Sequence, residues 1–158
     1  MKKYVIILIV ISVILILALA AFGLYFLLRK NDENNETSFV VTVVSGNPSN
    51  HPNYNQGSQN KYAINGSTAT SDVTLSLSEG QTYRFDQSHS SNLNHPLRFS
   101  TTANGTNGGG IEYTTGVITN GIAGEPGAYT QITVAVGAPT LYYYCTNHSG
   151  MGWTANTP

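Results

Sequence analysis

The sequence predicts an all-β domain of the sandwich or barrel type, preceded by one N-terminal transmembrane helix. Three observations lead there. Residues 4–28 form an uncharged run of 25 residues that is apolar or aromatic apart from Ser12 and Gly23. After residue 28 no stretch carries a convincing helical apolar period; short alternating segments recur between turn-rich connections instead. The same part of the chain is rich in Gly, Ser, Thr, Asn and Tyr and poor in Leu, Lys and Glu, which favours strands and turns over helices.

The apolar run comes first. At ~1.5 Å per residue it makes a helix of roughly 37 Å, enough to cross a bilayer with some tilt. Lys2 and Lys3 precede it, and Arg29 and Lys30 follow. "ALA" at residues 18–20 resembles a signal cleavage site, so secretion after cleavage is the alternative. The run continues eight residues past Ala20, longer than a typical signal core, and this favours an uncleaved anchor over residues 1–30. The flanking basic residues nearly balance. A span so near the amino terminus usually exports the chain beyond it, so the domain is expected on the outer side of a membrane. Residues 31–37 read as a polar linker and 38–158 as the domain.

Within the domain, "SFVVTVVSG" (38–46) alternates and is β-branched, the pattern of a first strand. Residues 47–60 are a turn-rich loop, and "KYAING" is a short strand ending in a turn. In 73–86, Val73, Leu75 and Leu77 share one face, Glu79-Gly80 turns or bulges the chain, and Tyr83 and Phe85 resume the pattern. Residues 87–94 are a loop, "HPLRFS" (95–100) enters a strand, and 101–110 are loose. "IEYTTGVI" forms a strand, "YTQITVAV" (129–136) alternates well, and "GAPT" turns into "LYYYC". Tyr142 and Tyr144 are expected to point away from the face of Cys145.

Residues 31–158 hold three basic residues against eight acidic ones, a formal charge of −5. Such a domain has no electrostatic footprint for nucleic acid. Cys145 is the single cysteine, so no disulfide forms within the chain, and an exported lone thiol needs burial or a ligand to escape oxidation.

Cys145 is followed by His148 and Met151 in "LYYYCTNHSGMGW" (141–153). Thiolate, imidazole and thioether together select copper, and two His and one Cys with a weak axial Met describe a blue-copper electron-transfer site. A second histidine must come from elsewhere. His95 stands at a loop-to-strand junction with 49 residues between it and Cys145. His89, in the Ser-rich loop, is its rival. His51, in a Pro/Asn loop, reads as a surface residue.

These residues resemble the cupredoxin family of small copper proteins. "YYYCTNHSGM" is similar to its C-x-x-H-x-x-M ligand loop in the short version seen in amicyanin, and "HPLRFS" is similar to its upstream histidine at a strand start. The resemblance covers about residues 38–153. It implies an eight-stranded Greek-key sandwich holding one mononuclear type 1 copper ion, with His95, Cys145 and His148 equatorial and Met151 axial. A binuclear copper centre needs two cysteines, and the copper oxidases carry further histidines where this chain has Arg98, Ser100, Tyr144 and Thr146, so no enzyme activity is expected. Relatives often donate a backbone N–H to the thiolate from the residue after the first histidine. Pro96 has none, and Asn147 is expected to supply one in its place.

Two functions compete. The first is a membrane-tethered electron carrier whose redox partner docks through a basic surface. The second is a structural or adhesive module on a cell or virion surface, in which copper is structural or absent. Fold resemblance alone does not decide between them.

Overall fold

The computed structural model describes residue 14, residues 16–25 and residues 36–157. The chain divides into two compact units, Met1–Asn35 and Glu36–Pro158. Most of the expected span 4–28, and the linker residues 31–35, lie outside the described residues. Its described part, residue 14 and residues 16–25, is helical with exposed side chains. Among the described residues no helix is long and apolar enough to cross a membrane.

The second unit is mostly β, built from two five-stranded sheets. The first has β1 (Glu36–Val44), β2 (Lys61–Ile64), β4 (Thr82–Asp86), β7 (Val117–Asn120) and β8 (Tyr129–Thr133), in the order β2-β1-β4-β8-β7. The second has β3 (Leu75–Ser76), β5 (Leu97–Ser100), β6 (Glu112–Tyr113), β9 (Leu141–Cys145) and β10 (Thr154–Asn156), in the order β3-β10-β9-β5-β6. β1 runs parallel to β4, β10 parallel to β3, and the remaining pairs are antiparallel.

Alternation explains the strands. In β4, Tyr83 and Phe85 are buried while Thr82, Arg84 and Asp86 stay half-buried on the other face. There the Arg84 guanidinium lies 3.7 Å from the centre of the Tyr129 ring on the neighbouring strand, a cation–π contact that covers the outer face. The inner faces meet in one core. Val41, Phe85 and Ile132 come from one sheet and Leu97, Phe99, Leu141, Tyr143 and Cys145 from the other. Phe85 and Phe99 join the two edge to face at 5.4 Å, the preferred aromatic geometry.

Several elements depart from the sequence reading. Val73 belongs to a helical turn, Thr70–Val73, rather than to a strand. "IEYTTGVI" is two short strands in different sheets, β6 and β7, because Thr114, Thr115 and the left-handed Gly116 turn the chain between them. β10 follows the candidate ligand motif at 145–151 and pairs with β9; at three residues it is too short to show alternation. The outer face of β9 is also covered. Tyr144 is 1 % exposed, because the loop at 101–110, coiled into a 3-10 turn at Gly105–Gly108, lies over it.

Candidate metal centre

Three segments converge at one end of the sandwich. β9 ends at Cys145, and its neighbour β5 places Leu97 opposite Cys145 in register. His95, two residues before Leu97, is thereby carried to the same end. A tight turn after Cys145 returns His148. The sulfur of Cys145 lies 3.8 Å from Nδ1 of His95 and 3.7 Å from Nδ1 of His148. The two imidazoles are tilted against each other with centres 4.5 Å apart. Cys145 is fully buried, His95 nearly so and His148 partly.

This donor triangle could hold a metal ion. With metal–sulfur ~2.3 Å and metal–nitrogen ~2.0 Å, two donors about 120° apart on one ion stand about 3.7 Å from each other. The observed spacings match that figure. Burial is the main cause that lowers the pKa of His95 below its ordinary value, with His148 adding to it. His95 is thus held in the neutral form a metal needs.

The other residues singled out from sequence divide. Met151 is fully buried in the same core cluster as Cys145 and Leu97, and its carbonyl accepts from the Tyr62 N–H at 2.9 Å. His89 is not part of the triangle. It caps the 3-10 turn Ser90–Asn92, and its Nδ1 faces the Ser91 hydroxyl at 2.8 Å and accepts from the Ser91 N–H. His51, read as a surface residue, is 2 % exposed. Its Nδ1 accepts from the Asn53 N–H at 3.1 Å, and its Nε2 is buried with no partner among the described residues. The N–H donor to sulfur expected from Asn147 is not among the contacts that Sγ makes within the described residues. The Asn147 side chain donates instead to the Asn94 carbonyl at 2.9 Å, tying the Cys145 turn to the His95 loop.

A supporting layer around the triangle escaped the sequence reading. Gln87 donates to the His95 carbonyl at 2.9 Å and accepts from the Leu97 N–H at 3.0 Å, so one buried amide grips the chain on both sides of Pro96. The Tyr62 hydroxyl donates to the same His95 carbonyl at 2.7 Å. Asn107 donates to the Cys145 carbonyl at 2.9 Å, and Asn92 pins the His95 loop to the Val41 carbonyl of β1 at 2.7 Å. The loop at 47–60 packs backbone to backbone against the turn at Ser149–Gly150. The Ser58 N–H donates to the Ser149 carbonyl at 2.8 Å, and a methyl on Gly150 would overlap the Gln56 carbonyl.

No family model matches this chain, and no curated protein or solved structure matches it either.

Proposed function

We propose that the chain is a membrane-tethered mononuclear copper protein of the cupredoxin type that carries single electrons between redox partners. The observation that carries this reading is the triangle of one sulfur and two imidazole nitrogens at 3.8 and 3.7 Å, spaced as donors to one ion. A thiolate with two imidazoles suits zinc as well as copper, and the thioether of Met151 on the same turn tips the set toward copper. Bound copper would supply one-electron chemistry between its two oxidation states.

The protein's part is to hold the donors still. His95 is fixed through its carbonyl by Tyr62 and Gln87, and Cys145 through its carbonyl by Asn107. A rigid donor set changes little between oxidation states. The partial exposure of His148 would offer a way from the buried triangle to a docked protein. Two packed sheets, each with one parallel pair, are compatible with a Greek-key sandwich of this type. Residues 4–28 would anchor the domain on the outer side of a membrane. Its acidic balance would favour a redox partner with a basic docking surface and salt-sensitive association.

The test is to titrate the full chain in detergent micelles with Cu(II) and to record visible and paramagnetic spectra. An intense thiolate-to-copper band is expected. It should be lost in Cys145→Ser and His95→Ala and kept in His89→Ala. A folded, colourless protein would rule out the carrier and favour a rigid surface module.

A further inference from the structure

Lys61 opens β2 and is completely buried. Its Nζ donates to the carbonyls of Gln56 at 2.7 Å, Ser58 at 2.5 Å and Gly150 at 2.9 Å. Three acceptors around one nitrogen require three N–H donors. A neutral amine has two, so the three carbonyls favour the ammonium ion, against burial, which lowers the pKa of Lys61 below its ordinary value. Among the described residues no carboxylate pairs with it; the ion pair there joins Arg98 to Glu112. A buried charge without a counter-ion is costly. A neutral amide, with two N–H donors, could not satisfy all three carbonyls. Beyond bracing them, the charge can act electrostatically.

Its position supplies one. Gly150 directly precedes Met151. The next residue of β2, Tyr62, takes the Met151 carbonyl with its N–H and the His95 carbonyl with its hydroxyl. Two consecutive residues thus grip both segments that carry the proposed ligands, and the first of them sets a fixed positive charge beside the Met151 turn.

We propose that Lys61 is a positioning residue that also sets the potential of the centre, its buried charge favouring the reduced state. This rests on the copper reading. When a redox partner gives the centre one electron, the centre gains one unit of negative charge. A fixed cation nearby lowers the energy of that gain, more so in a dry interior than in water.

The experiment compares copper-loaded full-length wild type with Lys61→Gln, Lys61→Met and Lys61→Arg, by visible spectrum and by redox titration. Gln is neutral and still donates, so the comparison stands even where Lys61→Met does not fold. The expected result is that the band persists in Lys61→Gln while the ratio of reduced to oxidised centre at fixed solution potential falls about tenfold, a downward shift of about 59 mV. Lys61→Arg, which keeps the charge, should restore most of it. A merely structural role does not depend on charge, so Lys61→Arg, which also disturbs the Met151 turn, would then shift the potential as Lys61→Gln does. A rise, no change, or an equal fall in Lys61→Arg overturns the proposal. A wild-type protein without the band overturns the copper reading and this inference together, whereas a wild-type band with an unmoved potential in Lys61→Gln overturns this inference alone.

Discussion

The Tyr62 hydroxyl donates to the carbonyl of His95 at 2.7 Å, with Tyr62 wholly buried. It is a bond between sheets: Tyr62 belongs to β2 at the edge of one sheet, and His95 leads into β5 of the other. Burial, with Cys145 contributing, raises the phenol pKa well above its ordinary value, so the hydroxyl keeps the proton it donates. Tyr62→Phe should cost about 0.5–1.5 kcal/mol of stability, the range for a buried hydrogen bond whose acceptor keeps another partner. That partner is Gln87. Urea denaturation at constant m-value measures the loss, and an unmoved midpoint would show that the bond does not hold His95.

Gln87 makes a stricter prediction. Its amide donates on one side of Pro96 and accepts on the other, a pair of roles that a carboxylate lacks. In Gln87→Glu the ionised side chain can still accept from Leu97, but it faces the His95 carbonyl without a proton and is buried. Two acceptors in contact and an unpaired buried charge should cost about 3 kcal/mol or more at neutral pH. Protonation restores a donor, so the deficit relative to wild type should shrink at pH 5. A Gln87→Glu protein as stable as wild type at neutral pH would contradict the clamp.

His51 gives a pH dependence. Burial, and secondarily the charge of Lys61, push its pKa down to about 4, against ~6.5 for an exposed imidazole. Between these values the unfolded chain binds a proton that the folded chain refuses, so stability rises with pH across that window. The contribution is fully present above about pH 6.5, is lost as pH falls toward about 4, and is flat below that. Its size is roughly 3 kcal/mol from the shift. His51→Asn offers an oxygen where Nδ1 accepts and has nothing to titrate. Denaturation of both proteins from pH 7 to pH 4 should show a shallower slope in the variant, with the slope that remains including the contribution of His95. Parallel curves would mean that His51 is not buried in its neutral form.

The two-sheet architecture was legible because its signal is local. Alternation in "TYRFD" and in "YTQIT" is visible within five residues. Two of the three residues of the candidate metal triangle were legible for the same reason, since Cys145 and His148 lie within four residues. His95 was reachable only because a histidine at a strand start is a recognisable pattern. What escaped depends on distant partners. Nothing near Gln87 or Lys61 marks them as buried braces, because Lys61 reaches Gly150 across 89 positions. His51 was misread for a related reason. A Pro/Asn loop looks solvated, and only the backbone packing of residues 47–60 on the Ser149–Gly150 turn puts it inside.

The loop over β9 allows a paired test. Gly105 and Gly109 bracket one 3-10 turn, and both have left-handed backbones, with φ of 54° and 81°. A methyl on Gly109 meets nothing within 4 Å, whereas a methyl on Gly105 would overlap the buried ring of Tyr144. Gly109→Ala should therefore cost only the backbone term, roughly 1–2 kcal/mol. Gly105→Ala should add an overpacking cost of about 1–3 kcal/mol to it, because a ring buried on both sides cannot swing clear. The damage should also reach the candidate metal centre. Tyr144 is next to Cys145, and Asn107, in the same turn, holds the Cys145 carbonyl. If the copper reading holds, Gly105→Ala should shift or weaken the thiolate-to-copper band while Gly109→Ala leaves it in place. Equal losses in the two variants would mean that backbone strain alone is being measured and that the loop does not press on the β9 face that carries Tyr144.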